Sequence, residues 1–201
     1  MTTSPLGGAS DSRSAAIDAA ARRIAVTYGL AGITLRRLTS TLSVAPGLIA
    51  EVEPSMGALI ARTFEELAAD ELAETTRELA TAPSPLDGMR AIIEGLLDES
   101  HDNFNSIWAD AWSLGRHNAP LARAARDGMV GWNALFTGLV ADGVTSGQFA
   151  EVDPELVAMQ FLALIDSTTA YRLVGYRSVA EHLHLLRRTL EHSLGLVAGS
   201  L

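Results

Sequence analysis

The 201-residue sequence predicts an all-α fold of about nine helices. Three observations carry that expectation. Apolar side chains recur at three- and four-residue spacing almost from end to end, and no stretch alternates with the period of two that a half-buried strand shows. Prolines and short polar residues stand where helices should begin. Hydrophobic residues make up 48% and charged residues 19%, enough apolar surface to close a core.

The first helix is expected from Ser12 to Tyr28, with Ala16, Ile17, Ala20, Ile24 and Tyr28 on its inner face. Gly29 is its stop, because glycine accepts the left-handed conformation at a helix end. Residues 1–12, rich in Gly, Ser and Thr, read as a flexible arm. Thr34 caps a short second helix reaching Leu42, with Leu35, Leu38 and Leu42 inward and Arg36 and Arg37 outward. Ser43-Val44-Ala45 turns the chain. Pro46 suits the first position of a third helix of about two turns, where its missing N–H would be unpaired anyway. Pro54 ends that helix, and Ser55 caps a long fourth one from Met56 to Ala80 that carries Leu59, Ile60, Phe64, Leu67 and Leu72. Beyond a break at 81–85, helices are expected near 86–101, 104–115, 120–145, 154–175 and 178–196, with Pro120 and Pro154 marking starts.

The absence of cysteine excludes disulfides, thiolate metal sites and cysteine nucleophiles. Net charge is −9, unevenly spread. Residues 1–62 hold six arginines against four acids, net +2; the remainder holds nine against twenty, net −11. No apolar run reaches the roughly eighteen residues of a membrane span, and the first residues lack a signal-peptide pattern. A cytoplasmic protein without membrane contact is expected. His182 and His184, two apart, point in different directions on a helix. There is no His-Glu-x-x-His segment and no glycine-rich phosphate loop, so no metal, cofactor or catalytic activity is expected.

The first three helices form a helix-turn-helix arrangement, in which the third element docks in the major groove of DNA. In order and spacing, Asp18-Ala19-Ala20, Gly29 with Gly32-Ile33-Thr34, Leu38, Val44, Gly47, Pro54-Ser55 and Ala58-Leu59 resemble the N-terminal domain of the tetracycline-repressor (TetR) family. Trp108-Ala109-Asp110-Ala111-Trp112, Asn118-Ala119-Pro120-Leu121, Gly143 through Gly147 with Phe149, and 161–166 resemble its BetI-like subgroup. The resemblance implies a homodimeric regulator, most simply a repressor. Residues 13–58 would read a double-stranded DNA operator, and residues 59–201 would bind a small-molecule effector and dimerise. It places DNA contacts at Thr34, Arg36, Arg37, Ala45, Pro46, Gly47, Leu48, Ala50 and Glu51, with Arg13 of the arm as a further cation.

The departures from the family pattern fall in the reading helix. Pro46 stands where members carry lysine or a polar residue, and Ala50 where they carry tyrosine. Glu51 stands for histidine or a polar residue, Glu53 for an aromatic, and Met56 for lysine. Lost phosphate contacts weaken DNA binding and flatten its salt dependence. Glutamate repels phosphate, although it can accept from a cytosine amino group. Two outcomes stay open: a reader with an unusual surface, or a TetR-like binding module that no longer reads DNA.

Nine of the eleven aromatic residues follow residue 100. Phe104, Trp108 and Trp112 share one helical face, and Trp132 and Phe136 repeat the spacing. Core packing explains such rows, as does an apolar pocket with Gln160, Asn103 or Thr168 as a polar fixture. Indole faces near a carboxylate would suit a quaternary ammonium effector, and a purely apolar lining a neutral one. The helix over 154–175, with Leu156 and Ile165, is apolar nearly all round; the last helix carries Leu183, Leu186 and Leu190. Two copies of each would form the intermolecular four-helix bundle that the resemblance implies.

Overall fold

A computed structural model describes residues 10–96 and 102–201, with the side chains of 10, 11, 96 and 102–104 left aside. Most of the expected arm, the end of the helix placed over 86–101, and the ring of Phe104 and amide of Asn103 lie outside the described residues. The fold is all-α, with no strand among the described residues. The helices are α1 (Ser10–Tyr28), α2 (Leu35–Leu42), α3 (Pro46–Val52), α4 (Met56–Leu79), α5 (Pro85–Leu96), α6 (Asp102–Gly115), α7 (Ala119–Thr145), α8 (Pro154–Leu173) and α9 (Val179–Ser193).

Local chemistry sets these boundaries. Gly29, at φ 72°, ends α1, and a 3-10 turn over Leu30–Gly32 leads to Thr34, whose hydroxyl accepts from Arg37 N at the start of α2. Ser43 takes the left-handed conformation at φ 55° between α2 and α3. The Ser55 hydroxyl accepts from Ala58 N at the head of α4. Asp153 accepts from Glu155 N and Leu156 N ahead of Pro154. Ser178 and Glu181 form a reciprocal capping box on α9, each such cap contributing about 1 kcal/mol. The last helix stops three residues earlier than expected. Gly195, at φ +66°, turns the chain where a Cβ would meet that of Ala150 at 2.6 Å, and Leu194 O accepts from Ala150 N.

The chain forms two compact units. The first holds the described residues up to Ala69 together with Ser106–Asp127. There α1 lies against α2 and α3. Its core is Ile17, Ala20, Ala21, Ile24, Leu38, Leu42, Ile49, Leu59, Phe64, Leu67, Ile107, Ala111 and Leu121, all buried. Leu35 differs from expectation: it is 37% exposed at the first position of α2. Tyr28 is likewise 58% exposed, and its ring carries an arginine rather than core contacts.

The second unit holds Asp70–Asn105 and Gly128–Leu201. In it α9 lies against α5 and α8. Its core is Met89, Ile92, Ile93, Trp132, Phe136, Val140, Phe149, Val157, Phe161, Leu186, Leu190 and Leu194. Gly143 admits the Phe149 ring to the surface of α7, where any Cβ would overlap it. No described helix is long and apolar enough to cross a membrane.

Candidate functional site

The short helix α3 hangs on one fully buried side chain, Ile49, with Leu48 and Val52 half-buried beside it. Its other side is open: Ala45, Pro46, Gly47, Ala50 and Glu51 are exposed. Four-residue spacing puts Pro46 and Ala50 on one line of that surface and Gly47 and Glu51 on the next. Apart from half-buried Leu48, the α3 residues proposed from sequence to touch DNA are therefore the ones facing out.

The two glutamates part company here. Glu53 is no solvated helix end: its side chain is 11% exposed, and Oε2 accepts from Arg62 Nη2 at 2.7 Å. The same guanidinium donates to Asp18 Oδ1 at 2.7 and 3.2 Å. The hydrogen bond to Glu53 outweighs burial and, with Asp18, raises the Arg62 pKa above its ordinary value. One arginine on α4 thus ties the end of α3 to α1. Glu51 has no ion pair or hydrogen bond among the described residues and stays in solvent.

The arginine pair divides in the same way. Arg36 is exposed. Arg37, expected to face outward, is half-buried: it stacks on the Tyr28 ring at 4.2 Å and Nη1 donates to Gly32 O at 3.2 Å. A guanidinium is planar and weakly hydrated enough to lie on a ring in this way. Arg37 therefore braces the connection between α1 and α2.

Two contacts from α6 and the chain beyond it reach this helix-turn-helix within the first unit. The Asp110 carboxylate accepts from Ala31 N at 3.0 Å, and a Cβ on Gly29 would lie 2.5 Å from its Oδ2. Asn118 Nδ2 donates to Gly57 O at 2.9 Å. The Phe64 ring meets Trp108 edge-on at 4.9 Å, and Trp108 lies 6.0 Å from Trp112.

The remaining aromatic pair belongs to the second unit. Trp132 stacks on Phe136 at 5.6 Å, and Phe136 meets Phe161 edge-on at 4.7 Å. Gln160, expected as a polar fixture of a pocket, is on the surface, where Oε1 accepts from Ser193 Oγ at 3.3 Å. The buried polar groups on α8 are Thr168 and Thr169. Thr169 Oγ1 donates to Asn105 Oδ1 at 3.3 Å, while Asn105 Nδ2 and Thr168 Oγ1 are buried without a partner among the described residues.

Asp166 joins them on α8, and burial pushes its carboxyl up to about 6. With the folded value above the ordinary one, this group favours the fold at low pH and loses that contribution as pH rises through about 6. Asp166→Asn should therefore stabilise the protein at pH 7.5 by on the order of 1–2 kcal/mol, discounted for partial exposure. The advantage should fade on acidification and vanish below pH 4; melting curves across that range check it.

Of the residues expected to pair two chains, Leu156 is exposed and Leu183 half-buried, whereas Ile165, Leu186 and Leu190 are buried inside the second unit. Periodicity alone cannot say which of two apolar faces turns inward. The outer face of α8 presents Leu156, Met159, Ala163, Ala170 and Leu173, continued by Val174 just past its end. Near its end an open groove of about 550 Å³ is lined by Tyr171, Tyr176, His182 and Leu185 among others. His182 is buried, its Nε2 at 2.9 Å from Tyr176 O, and His184 is exposed. Among the described residues no cluster could hold a metal ion.

Sequence reasoning missed the Arg62 and Asp110 contacts and the buried carboxyl of Asp166. Asp18 carried a usable signal: an acid between Ile17 and Ala20, on the edge of an inward face, needs a cation within reach.

A family model described as "BetI-type transcriptional repressor, C-terminal" matches residues 85–195. No curated protein matches the chain. Among solved structures, a protein from Saccharomonospora viridis described as a transcriptional regulator, in complex with choline, is similar with a TM-score of 0.79 at 20% identity, covering 90% of this chain and 96% of that one. A TetR-family regulator from Cytophaga hutchinsonii gives 0.76 at 14% identity, covering 92% and 96%. Reduced NemR of E. coli gives 0.72 at 17% identity, covering 92% and 98%. At these identities the likeness is one of fold.

Proposed function

The chain belongs to the TetR family of transcriptional regulators, with a C-terminal domain of the BetI repressor type, and from this we propose that it is a homodimeric repressor released from a palindromic operator by a small-molecule effector. The observation that carries DNA reading is the outward face of α3, where Pro46, Gly47, Ala50 and Glu51 are free while Ile49 anchors the helix. Residues 13–58 act as the reader, braced by 106–127 of the same unit, and the rest of 59–201 acts as the effector and dimer region. Arg36 contacts phosphate, with Thr34 and Ala45 flanking the turn, and Arg37 acts through its stack on Tyr28. The outer row of α8 from Leu156 to Leu173 pairs with its copy. Reading two successive major grooves requires the two copies of α3 to stand about 34 Å apart, one turn of DNA.

For the effector, the aromatic trio Trp132, Phe136 and Phe161 and the carboxyl of Asp166 favour a quaternary ammonium cation over a neutral apolar molecule. The choline held by the Saccharomonospora viridis protein supports that class. The unpartnered atoms of Asn105 and Thr168 would receive the polar end of such a ligand.

The test is binding to the DNA flanking the gene, with salt varied and then choline or a neutral isostere added. Sequence-selective, salt-sensitive binding that choline relieves is expected. Arg36→Ala should weaken binding about equally at all sequences and reduce the salt slope by about 1. Arg37→Ala should also lower the melting temperature. A second reading, a binding module without DNA affinity, rests on the lack of any exposed basic side chain on α3; absence of binding even at low salt would establish it.

A further inference from the structure

We infer that the Gly47–Glu51 line of α3 is the base-reading edge of the protein, with Glu51 accepting a hydrogen bond from the N4 amino group of a cytosine and Gly47 letting the helix backbone lie against the neighbouring nucleotide. The inference rests on the DNA-reading proposal above and names what is read.

Gly47 supplies the first argument. Its φ is not in the left-handed region, and a Cβ built on it would meet nothing within 4 Å. Nothing inside the chain requires glycine there. Helical glycine nevertheless costs stability relative to alanine, because its backbone loses more freedom on folding. Gly29, with positive φ and Asp110 beside it, and Gly143, facing the Phe149 ring, have internal reasons, whereas the helical Gly95 and Gly138 are as open as Gly47. What sets Gly47 apart from those two is its place on the outward face of α3 beside Pro46, where a missing Cβ lets a neighbouring surface approach the helix closely.

Glu51 stands one turn further along the same line, exposed and unpaired among the described residues. The fold could have neutralised it, as it neutralises Glu53 with Arg62. The adjacent line, Pro46 and Ala50, offers no side-chain donor or acceptor, only apolar surface of the kind that meets a thymine methyl. The one hydrogen-bonding side chain on the face is thus an acceptor, and it needs a donor in the groove.

The major groove has two donors. The adenine N6 amino group lies between two acceptors, adenine N7 and thymine O4, and a carboxylate reaching it is repelled from both sides. The cytosine N4 amino group has guanine O6 on one side and the plain C5 edge on the other. An ionised carboxylate can approach from the C5 side, so cytosine is selected.

The experiment is selection of binding sites from randomised duplex DNA with the wild type, Glu51→Gln and Gly47→Ala, followed by affinities and unfolding midpoints for each. The wild type should fix cytosine at one position in each half-site. Placing another base there should cost roughly 5- to 150-fold in affinity, the range of one good base contact. Glu51→Gln should move the preference at that position alone from cytosine toward adenine, whose N6 and N7 match an amide. Gly47→Ala should bind more weakly at every site while its unfolding midpoint stays level or rises. An unchanged base preference in Glu51→Gln, or undiminished affinity in Gly47→Ala, overturns the inference while leaving DNA reading standing. Failure of the wild type to select any site overturns both.

Discussion

Phe64→Ala should lower the stability of the protein by about 3–5 kcal/mol, the usual cost of deleting a fully buried phenyl ring. Phe64 is completely buried, and its edge contact with Trp108 joins α4 to α6 in the first unit. The cavity would open beside the Trp108 indole, in a close-packed core that relaxes only partly around a deleted ring. Urea unfolding followed by tryptophan emission reads both the loss and the altered surroundings of Trp108. A change under about 1 kcal/mol would show that the ring does not hold these helices together.

Arg62→Ala is the second. It leaves Asp18 and Glu53, each accepting from the same Nη2 at 2.7 Å, facing one another without a cation. The pairing is partly exposed, Arg62 itself at 37%, so a loss of about 2 kcal/mol is expected rather than the larger figure for a fully buried pair. DNA affinity should fall further than stability does, because Glu53 closes the end of α3. Arg62→Lys should restore part of the stability but not the fork that reaches both carboxylates. Equal DNA affinity in wild type and Arg62→Ala at a temperature where both are folded would sever the link between this cluster and the pose of α3.

Much of the fold was legible because its signals are local. Thr34, Pro46, Ser55 and Pro154 act on backbone groups within four residues, and the structure shows helices beginning at each. The ring pairs Trp108–Trp112 and Trp132–Phe136 also follow from spacing alone. What sequence could not show depends on residues far apart in the chain. Arg62 finds Asp18 across 44 positions and Asp110 finds Ala31 across 79, and no periodicity announces such meetings. Gln160 was misplaced for a different reason: on a helix apolar nearly all round, one polar residue does not say which side is outside, and here it marks the outside. The acidic reading helix, puzzling as two glutamates, becomes tractable once Glu53 is seen to be engaged in structure.

The first unit is discontinuous in sequence, since the chain leaves it at Ala69 and returns at Ser106. That unit therefore cannot be cut out with a single scission. A piece ending near residue 69 would carry all of α3 yet lose the Trp108 contact of Phe64 and the Asp110 and Asn118 hydrogen bonds. A fragment meant to keep the fold of the first unit has to include the segment over 106–127. Grafting a foreign C-terminal region at a junction in α4 would remove Trp108, Asp110 and Asn118, the partners of Phe64, Ala31 and Gly57 in the first unit.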